Sequence, residues 1–535
     1  MKPIAARALV AILLPLLAIA FAIWRLFPPQ QDIGDGFETA RAIAHLNRIA
    51  HEPRPVGSPA NRAARDYIVE QFKSIGCDVQ VETGTVRPFT VLNIVARLKG
   101  TTFQDDAVLL SAHYDSVRGG PGASDDAAAV AALLEVARVL SLNPPRRDVI
   151  FLITDGEEMG LLGARAFVKS SAARRDAAVV LNMEARGTTG PSMMFQSSPR
   201  NRWLIEQFAC TSPHPVSGSM FIEIYRRMPN DTDLTVFLND GLPGLNFAFI
   251  RSFQNYHTAS DDLAHLSVAS LRHHGTQSLA LARRLADVPD LRQLLESSHG
   301  DAVYFDLWSF AVVRYPTWLA LPLAIMATGG AGALVLRLRV PLGRLLIAMA
   351  IEVVSLAAIV AAVYLGSRGL VKAGTMSAWN RHFELVYTCT VAFAILVVVL
   401  TCIWSRTGIT VRALVAASQT LWLILCLSSA IFYPGSSYFF LFPLMLCAAS
   451  LWLGQMRSSF YWTCAVILCA CGASILAGHL LVGGWAVTLR GLYLIMPLAG
   501  MLIWLVVPTW LLISPISDIE VGLIDHGNRD VPAVR

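Results

Sequence analysis

The stretch VLLSAHYDSVRGGPGASDD, residues Val108 to Asp126, decides how the rest of the chain is read. Its first five residues, Val108 to Ala112, form an apolar run of the kind that makes a short buried strand. The run ends at His113 and Asp115. A glycine-rich turn through Gly119, Gly120 and Gly122 follows, then Asp125, Asp126 and an alanine-rich helical pattern to Leu140. Ligands bind at that edge of an open α/β sheet, outside the carboxyl ends of the strands.

Working outward, further strand patterns lie at Val79 to Val81, Leu92 to Leu98, Val149 to Thr154, Val179 to Met183 and Leu245 to Ile250. Helical periodicity occupies Phe37 to Ala50, Asn61 to Ser74, and then 126–140, 161–169, 200–209 and 268–286. Strands alternating with helices predict an α/β fold, a mainly parallel sheet flanked by helices.

The chain has 535 residues, 54% of them hydrophobic, which is high for one water-soluble domain. The excess is concentrated. Apolar runs at 317–336, 345–365, 383–404, 412–432, 438–454, 461–482 and 491–513 approach the roughly 20 residues that cross a bilayer. The expected organisation is an N-terminal anchor or signal at 1–29, a water-soluble domain at 30–315, an all-α polytopic domain of seven spans at 316–513, and a cytoplasmic tail at 514–535. Within the first segment Lys2 and Arg7 precede the apolar run Ala8 to Trp24; Ala18-Ile19-Ala20 offers a small-residue cleavage site, and an uncleaved anchor is preferred.

With the water-soluble domain exported to a periplasm or organelle lumen, Arg337, Arg339, Arg344, Arg406, Arg412 and Arg457 fall in cytoplasmic loops. Arg368, Lys372, Arg381 and Arg490 fall opposite, a bias in the direction of the positive-inside rule. The net charge of +5 is small and lies largely beside apolar spans, which argues against a nucleic-acid partner. Of nine cysteines only Cys77 and Cys210 lie outside apolar spans, with no CxxC spacing, and a bridge between them is left open.

Five metal-ligand types fall at separate predicted strand ends: His113, Asp125, Glu158, Glu184 and His257. Imidazole with carboxylate suits Zn²⁺, and a bridging carboxylate allows two ions, the turn at Asp125 being the natural bridge. Glu157 adjoins Glu158 in TDGEEMGLLG, so one can bind metal while the other serves as general base. Asp115, two residues from His113 on an extended segment, is placed to accept the second imidazole N–H. Each residue alone has an ordinary alternative: Asp125 as a helix N-cap, Glu157-Glu158 complementing a helix dipole, Glu184 pairing with Arg186. Their joint order favours the metal reading. His273-His274 on a helix, Glu352 and His479 inside spans, the Asn230-Asp231-Thr232 sequon and Asp233 in an expected turn are weaker signals.

Taken together, PRPVGSPANRAARDYI, SAHYDSVRGGPGASDDAAAV, FLITDGEEMGLLGARAFV, VLNMEARGTTG, NDTDLTVF and YHTASDDLAHL resemble the M28 family of zinc peptidases. The likeness is to its membrane-bound branch, of endoplasmic reticulum metallopeptidase and vacuolar membrane protease type. That resemblance implies a zinc-aminopeptidase-like fold with two Zn²⁺ ions, one held by His113, Asp125 and Glu184 and the other by Asp125, Glu158 and His257. It implies Glu157 as base and Tyr256 as a donor to the tetrahedral intermediate. Glu184 replaces the Asp of many soluble relatives, as in the membrane-bound branch. A peptide substrate and aminopeptidase activity are expected, with a homo-oligomer left open. The competing readings are a single-zinc acyltransferase of glutaminyl cyclase type and a non-catalytic peptide-binding scaffold or transporter.

Overall fold

The computed structural model describes residues 2–29, 34–228, 230–405, 409–454 and 459–513. The tail 514–535, Arg406 and Arg457 lie outside the described residues. The chain divides into two compact units, Leu26–Thr317 on one side and Met1–Arg25 with Trp318–Arg535 on the other.

The first unit is built on a seven-stranded sheet: β1 (Asp78–Val86), β2 (Phe89–Leu98), β3 (Phe103–His113), β4 (Arg147–Thr154), β5 (Ala177–Ala185), β6 (Met193–Ser197) and β7 (Gly244–Phe249), in the order β1-β2-β4-β3-β5-β7-β6. The four central strands β4, β3, β5 and β7 are parallel. Their apolar runs are buried along the whole of β4, β5 and β7, as a sheet covered on both faces requires. The outer pairs β1/β2, β2/β4 and β6/β7 are antiparallel, so the sheet as a whole is mixed. Three strands were not anticipated: β6 and the hairpin of β8 (Ala302–Leu307) with β9 (Ala311–Pro316).

Alternation along the strands sends successive side chains to opposite faces. Val108, Leu110, Phe151, Leu181 and Phe247 pack beneath the helices Thr39–Ile49, Pro59–Ile75, Ala129–Leu142 and Val268–Asp287. Leu109, Ile150, Leu152 and Val180 pack on the other face against Phe167 and Phe237, from the helices Leu162–Ser170 and Asp233–Asn239. Ser58 caps the second helix by accepting from Asn61 N–H, and Gly76 ends it in the left-handed conformation at φ 96°. The parallel centre therefore presents four strand ends at one edge, and every predicted ligand lies at or follows one of them.

The second unit is helical. Among the described residues, six helices are long and apolar enough to cross a membrane: Thr317–Arg337, Leu342–Lys372, Phe383–Trp404, Val411–Phe432, Pro434–Gly454 and Phe460–Val487. The seventh expected run gives a shorter helix, Met496–Ile513, because the preceding helix extends to Gly491 and a tight turn at Leu492–Leu494 takes up the intervening residues. Cys77 and Cys210 are free thiols, so no bridge joins them.

Candidate metal centre

His113 is the last residue of β3, and both its ring nitrogens are occupied. Nε2 lies 3.1 Å from Asp125 Oδ1, while Nδ1 lies 3.2 Å from the Asp115 carbonyl and 3.4 Å from Asp115 Oδ1. Asp115 does more than face the imidazole. Its Oδ1 accepts the Glu157 N–H at 3.1 Å and its Oδ2 the Glu158 N–H at 3.2 Å, tying the end of β3 to the turn after β4. That turn precedes the helix Leu162–Ser170, so Glu157 and Glu158 are not in a first helical turn as their sequence context suggested.

Asp125 sits between the two imidazoles. Its Oδ1 faces His113, and its Oδ2 lies 3.2 Å from His257 Nε2, which is also 3.0 Å from Glu158 Oε2. The backbone that aims it is held by Asp261, whose oxygens accept the Ser124 N–H at 2.7 Å and the Asp125 N–H at 3.2 Å. Gly122, at φ 57°, makes the turn that leads in. Gly120 packs against the Thr258 carbonyl, leaving no room for a Cβ where the loop meets the His257 segment. Glu184, near the end of β5, accepts from Asn182 Nδ2 at 3.2 Å and lies 3.8 Å from His113 Nε2. Arg186 instead stacks on the Phe253 ring.

Two sets of three donors result, each with its ligand atoms within 4.8 Å of one another: His113, Asp126 and Glu184, and Asp125, Glu158 and His257. All five residues predicted as ligands are brought together. Asp126 joins them, and its backbone-directed Oδ2 accepts the His113 N–H at 3.2 Å.

Charge is the dominant feature of the site. Burial raises Glu157, Glu184 and Asp126 well above the carboxylate range, the neighbouring carboxylates reinforcing it. Glu158 is pushed up to about 7 by burial and by Asp125. Burial acts the same way on Asp125, but its bonds to His113 and His257 outweigh it and hold the group below its ordinary value. For His257 burial is again opposed, and the bonds to Asp125 and Glu158 raise it to about 10. Glu158 Oε1 and Asp126 Oδ1 are buried without a hydrogen-bond partner among the described residues. Carboxylates crowded out of water, with unused oxygens and imidazoles between them, are the donor set that divalent cations satisfy.

Three participants, Arg54, Asp261 and Tyr225, were not anticipated, and a fourth, Asp233, was only a weaker signal. Arg54 is fully buried; its guanidinium donates to the carbonyls of Tyr114 (2.9 Å), Pro121 and Gly122 (3.1 Å), and it faces Asp115, Asp261, Asp125 and Asp126. Asp261 has been described. Asp233, expected in a turn, is buried with Oδ2 accepting Thr154 Oγ1 at 2.5 Å, and burial raises it to about 6. Tyr225 has a buried hydroxyl that burial and the charge of Glu184 keep protonated. Tyr256 stacks on His257 with ring centroids 3.7 Å apart, and burial with Asp125 and Glu158 nearby raises its hydroxyl as well. His273 and His274 stand apart from the cluster: His273 accepts the Ser192 N–H through Nδ1 and bonds the His214 carbonyl, and His274 Nδ1 meets Ser192 Oγ at 2.8 Å.

Residues 93–282, which contain all of these ligands, match peptidase family M28. The chain carries an M28 peptidase domain. Among characterised proteins it is similar to endoplasmic reticulum metallopeptidase 1 of Mus musculus, 32% identical over 308 residues, covering 52% of this chain and 34% of that one. It is also similar to the vacuolar membrane protease of Schizosaccharomyces japonicus, 31% identical over 280 residues, covering 48% and 33%. The match thus spans about a third of the length of these relatives. These likenesses set the M28 domain in the membrane-bound branch of the family. Among solved structures, an aminopeptidase from Aneurinibacillus sp. strain AM-1 aligns at 16% identity and a TM-score of 0.40, over 48% of this chain and 96% of that one. A glutaminyl cyclase from Porphyromonas gingivalis aligns at 20% and 0.39, over 46% and 99%.

Proposed function

We propose that the M28 domain is a zinc-dependent aminopeptidase that removes N-terminal residues from peptides, with two Zn²⁺ ions at the cluster and the domain facing a periplasm or organelle lumen. The observation that carries this reading is the placement of Asp125, which belongs to one three-donor set with Glu158 and His257 and turns its other carboxylate oxygen toward His113 of the second set. In this reading His113 and Glu184 would hold one ion and Glu158 and His257 the other, with Asp125 available to both. Asp126 is a further oxygen donor on the His113 side. When bound, the zinc ions acidify water and polarise the scissile carbonyl.

The protein's own groups supply the remaining steps. Glu157, raised by burial beside the ligands, takes a proton from the attacking water and returns it to the leaving amine. Asp115 positions Glu157 through its backbone N–H and orients His113. The Tyr256 hydroxyl, held protonated, donates to the oxyanion. The carboxylates crowded at the site, Glu157 and Glu184 among them, would favour an ammonium group, which supports attack at the amino end.

The proposed organisation is an anchor at 1–29, the catalytic domain at 30–315, a membrane domain at 316–513 and a cytoplasmic tail at 514–535. Digestion of a peptide library with and without a chelator, read by mass spectrometry, tests the activity. Stepwise chelator-sensitive loss of N-terminal residues is the expected result. Cyclisation of N-terminal glutamine without peptide-bond cleavage, or zinc binding with no turnover, would refute it.

A further inference from the structure

Among the polar side chains that the helical unit buries with hydrogen-bonding capacity unused among the described residues are Glu352 through Oε2, Gln419 through both Oε1 and Nε2, and Thr509 through Oγ1. Their exposures are 3%, 0% and 0%. They lie on three helices that pack on one another pairwise, Leu342–Lys372, Val411–Phe432 and Met496–Ile513. A polar group buried in an apolar bundle is costly unless something satisfies it, and an ionisable one there ordinarily marks a site of function.

Two indole hydrogen bonds fix the register. Trp504 Nε1 donates to Ser355 Oγ at 2.8 Å, and Trp422 Nε1 donates to the Met501 carbonyl at 3.1 Å. Ser355 Oγ in turn bonds the Glu352 carbonyl at 2.9 Å, one turn away. Residues three or four apart share a helix face, so Glu352 lies on the face carrying Ser355 and Gln419 on that carrying Trp422, while Thr509 stands just over two turns on from Met501, about 80° round the helix. Consecutive spans cross in opposite senses, which makes the first two helices parallel and the third antiparallel. Counting 1.5 Å per residue from the two ties then sets Gln419 about 4.5 Å from Glu352 along the bundle axis, and Thr509 about 3 Å from it on the other side.

We propose that Glu352, Gln419 and Thr509 form an intramembrane binding site for one small monovalent cation, Na⁺ or a proton. Carboxylate, amide carbonyl and hydroxyl oxygens are hard donors suited to such an ion, and one carboxylate balances one charge. In the protonated form the carboxyl donates to the Gln419 amide oxygen. On the helices packed most closely against the Glu352 helix, the charged or imidazole groups are Arg412, Glu384 and Arg490, each one residue from its helix end, and His479, whose Nδ1 meets the Ile475 carbonyl at 3.2 Å. The Met496–Ile513 helix carries none.

The test uses the full chain in detergent, following tryptophan emission from Trp422 and Trp504 while NaCl replaces choline chloride at constant ionic strength, across a pH series. The site predicts a saturable change that Glu352→Gln abolishes and Gln419→Ala weakens about tenfold, the effect of losing one hydrogen-bonding group. Saturation by Na⁺ at fixed pH assigns the metal ion; a response to pH alone, lost in Glu352→Gln, assigns the proton. No response to either, or the same response in Glu352→Gln, overturns the proposal. Gel filtration checks folding, and if Glu352→Gln does not fold, Thr509→Val, nearly isosteric and uncharged, must show the weakened midpoint; an unshifted one overturns the site equally.

Discussion

Asp115→Asn is the sharpest perturbation of the proposed machinery, because the residue acts through His113 and the backbone of Glu157 and Glu158. Its two oxygens accept the N–H groups of Glu157 and Glu158 at 3.1 and 3.2 Å, and Oδ1 lies 3.4 Å from His113 Nδ1. An asparagine keeps the shape but offers one oxygen, so one of those N–H groups must face an amide NH₂. Hydrogen bonds to a charged acceptor are worth about 1.5–3 kcal/mol, so the turn carrying Glu157 loses about 2 kcal/mol of restraint. If that restraint is expressed in the transition state, at 1.36 kcal/mol per factor of ten, kcat/KM falls about 30-fold. The assay is steady-state hydrolysis of an aminoacyl substrate by the full chain, with zinc content measured on the same samples. A loss carried by kcat at full zinc occupancy is expected. A variant with wild-type kcat/KM would refute the positioning role, and a loss that merely tracks lost zinc would reassign Asp115 to metal retention.

Glu157→Gln should retain zinc and lose about 10²- to 10⁴-fold in turnover, the range for removing a general base; undiminished turnover would exclude it from that role. Arg54→Met removes donors to three carbonyls and the cation facing four aspartates, and should destabilise the catalytic unit by about 3–5 kcal/mol, read as a lower thermal midpoint. Arg54→Lys should recover part of that loss, and an unchanged midpoint in the methionine variant would contradict the assignment. In the ion-free protein His257 titrates near 10 and Glu158 near 7, so protons compete with zinc below those values. Apparent zinc affinity should therefore strengthen as pH rises through this window, measured by competition with a fluorescent chelator at a series of pH values. A pH-independent affinity would contradict it.

The parts of this molecule that were legible in the sequence are those whose signal is local. Central strands such as Val149–Thr154 are unbroken apolar runs because helices cover both faces of the sheet, and the ligands stand at the ends of such runs. The turn at Gly122 and the Glu157-Glu158 pair are likewise contiguous with a strand. What was missed is held by contacts distant in sequence. Asp261 reaches Ser124 across 137 positions, and Arg54 reaches Gly122 across 68, with no periodicity or spacing to announce either. Asp126 was masked by its neighbour, since two consecutive aspartates before a helix do not reveal which carboxylate turns toward His113. The short strand Met193–Ser197 and the hairpin from Ala302 to Pro316 were illegible because mixed runs of five or six residues carry no decisive pattern. Asp233 shows the reverse error, an aspartate read as a turn residue that folding buries against Thr154.

The central claim is that side chains from four strand ends share a pair of divalent ions through Asp125. The most direct measurement is the zinc content of the purified full chain, by elemental mass spectrometry against amino-acid analysis, together with that of His257→Ala. The account predicts two zinc ions per chain, falling to one in the variant. A single ion in the unaltered protein, or a content that His257→Ala leaves unchanged, would contradict it.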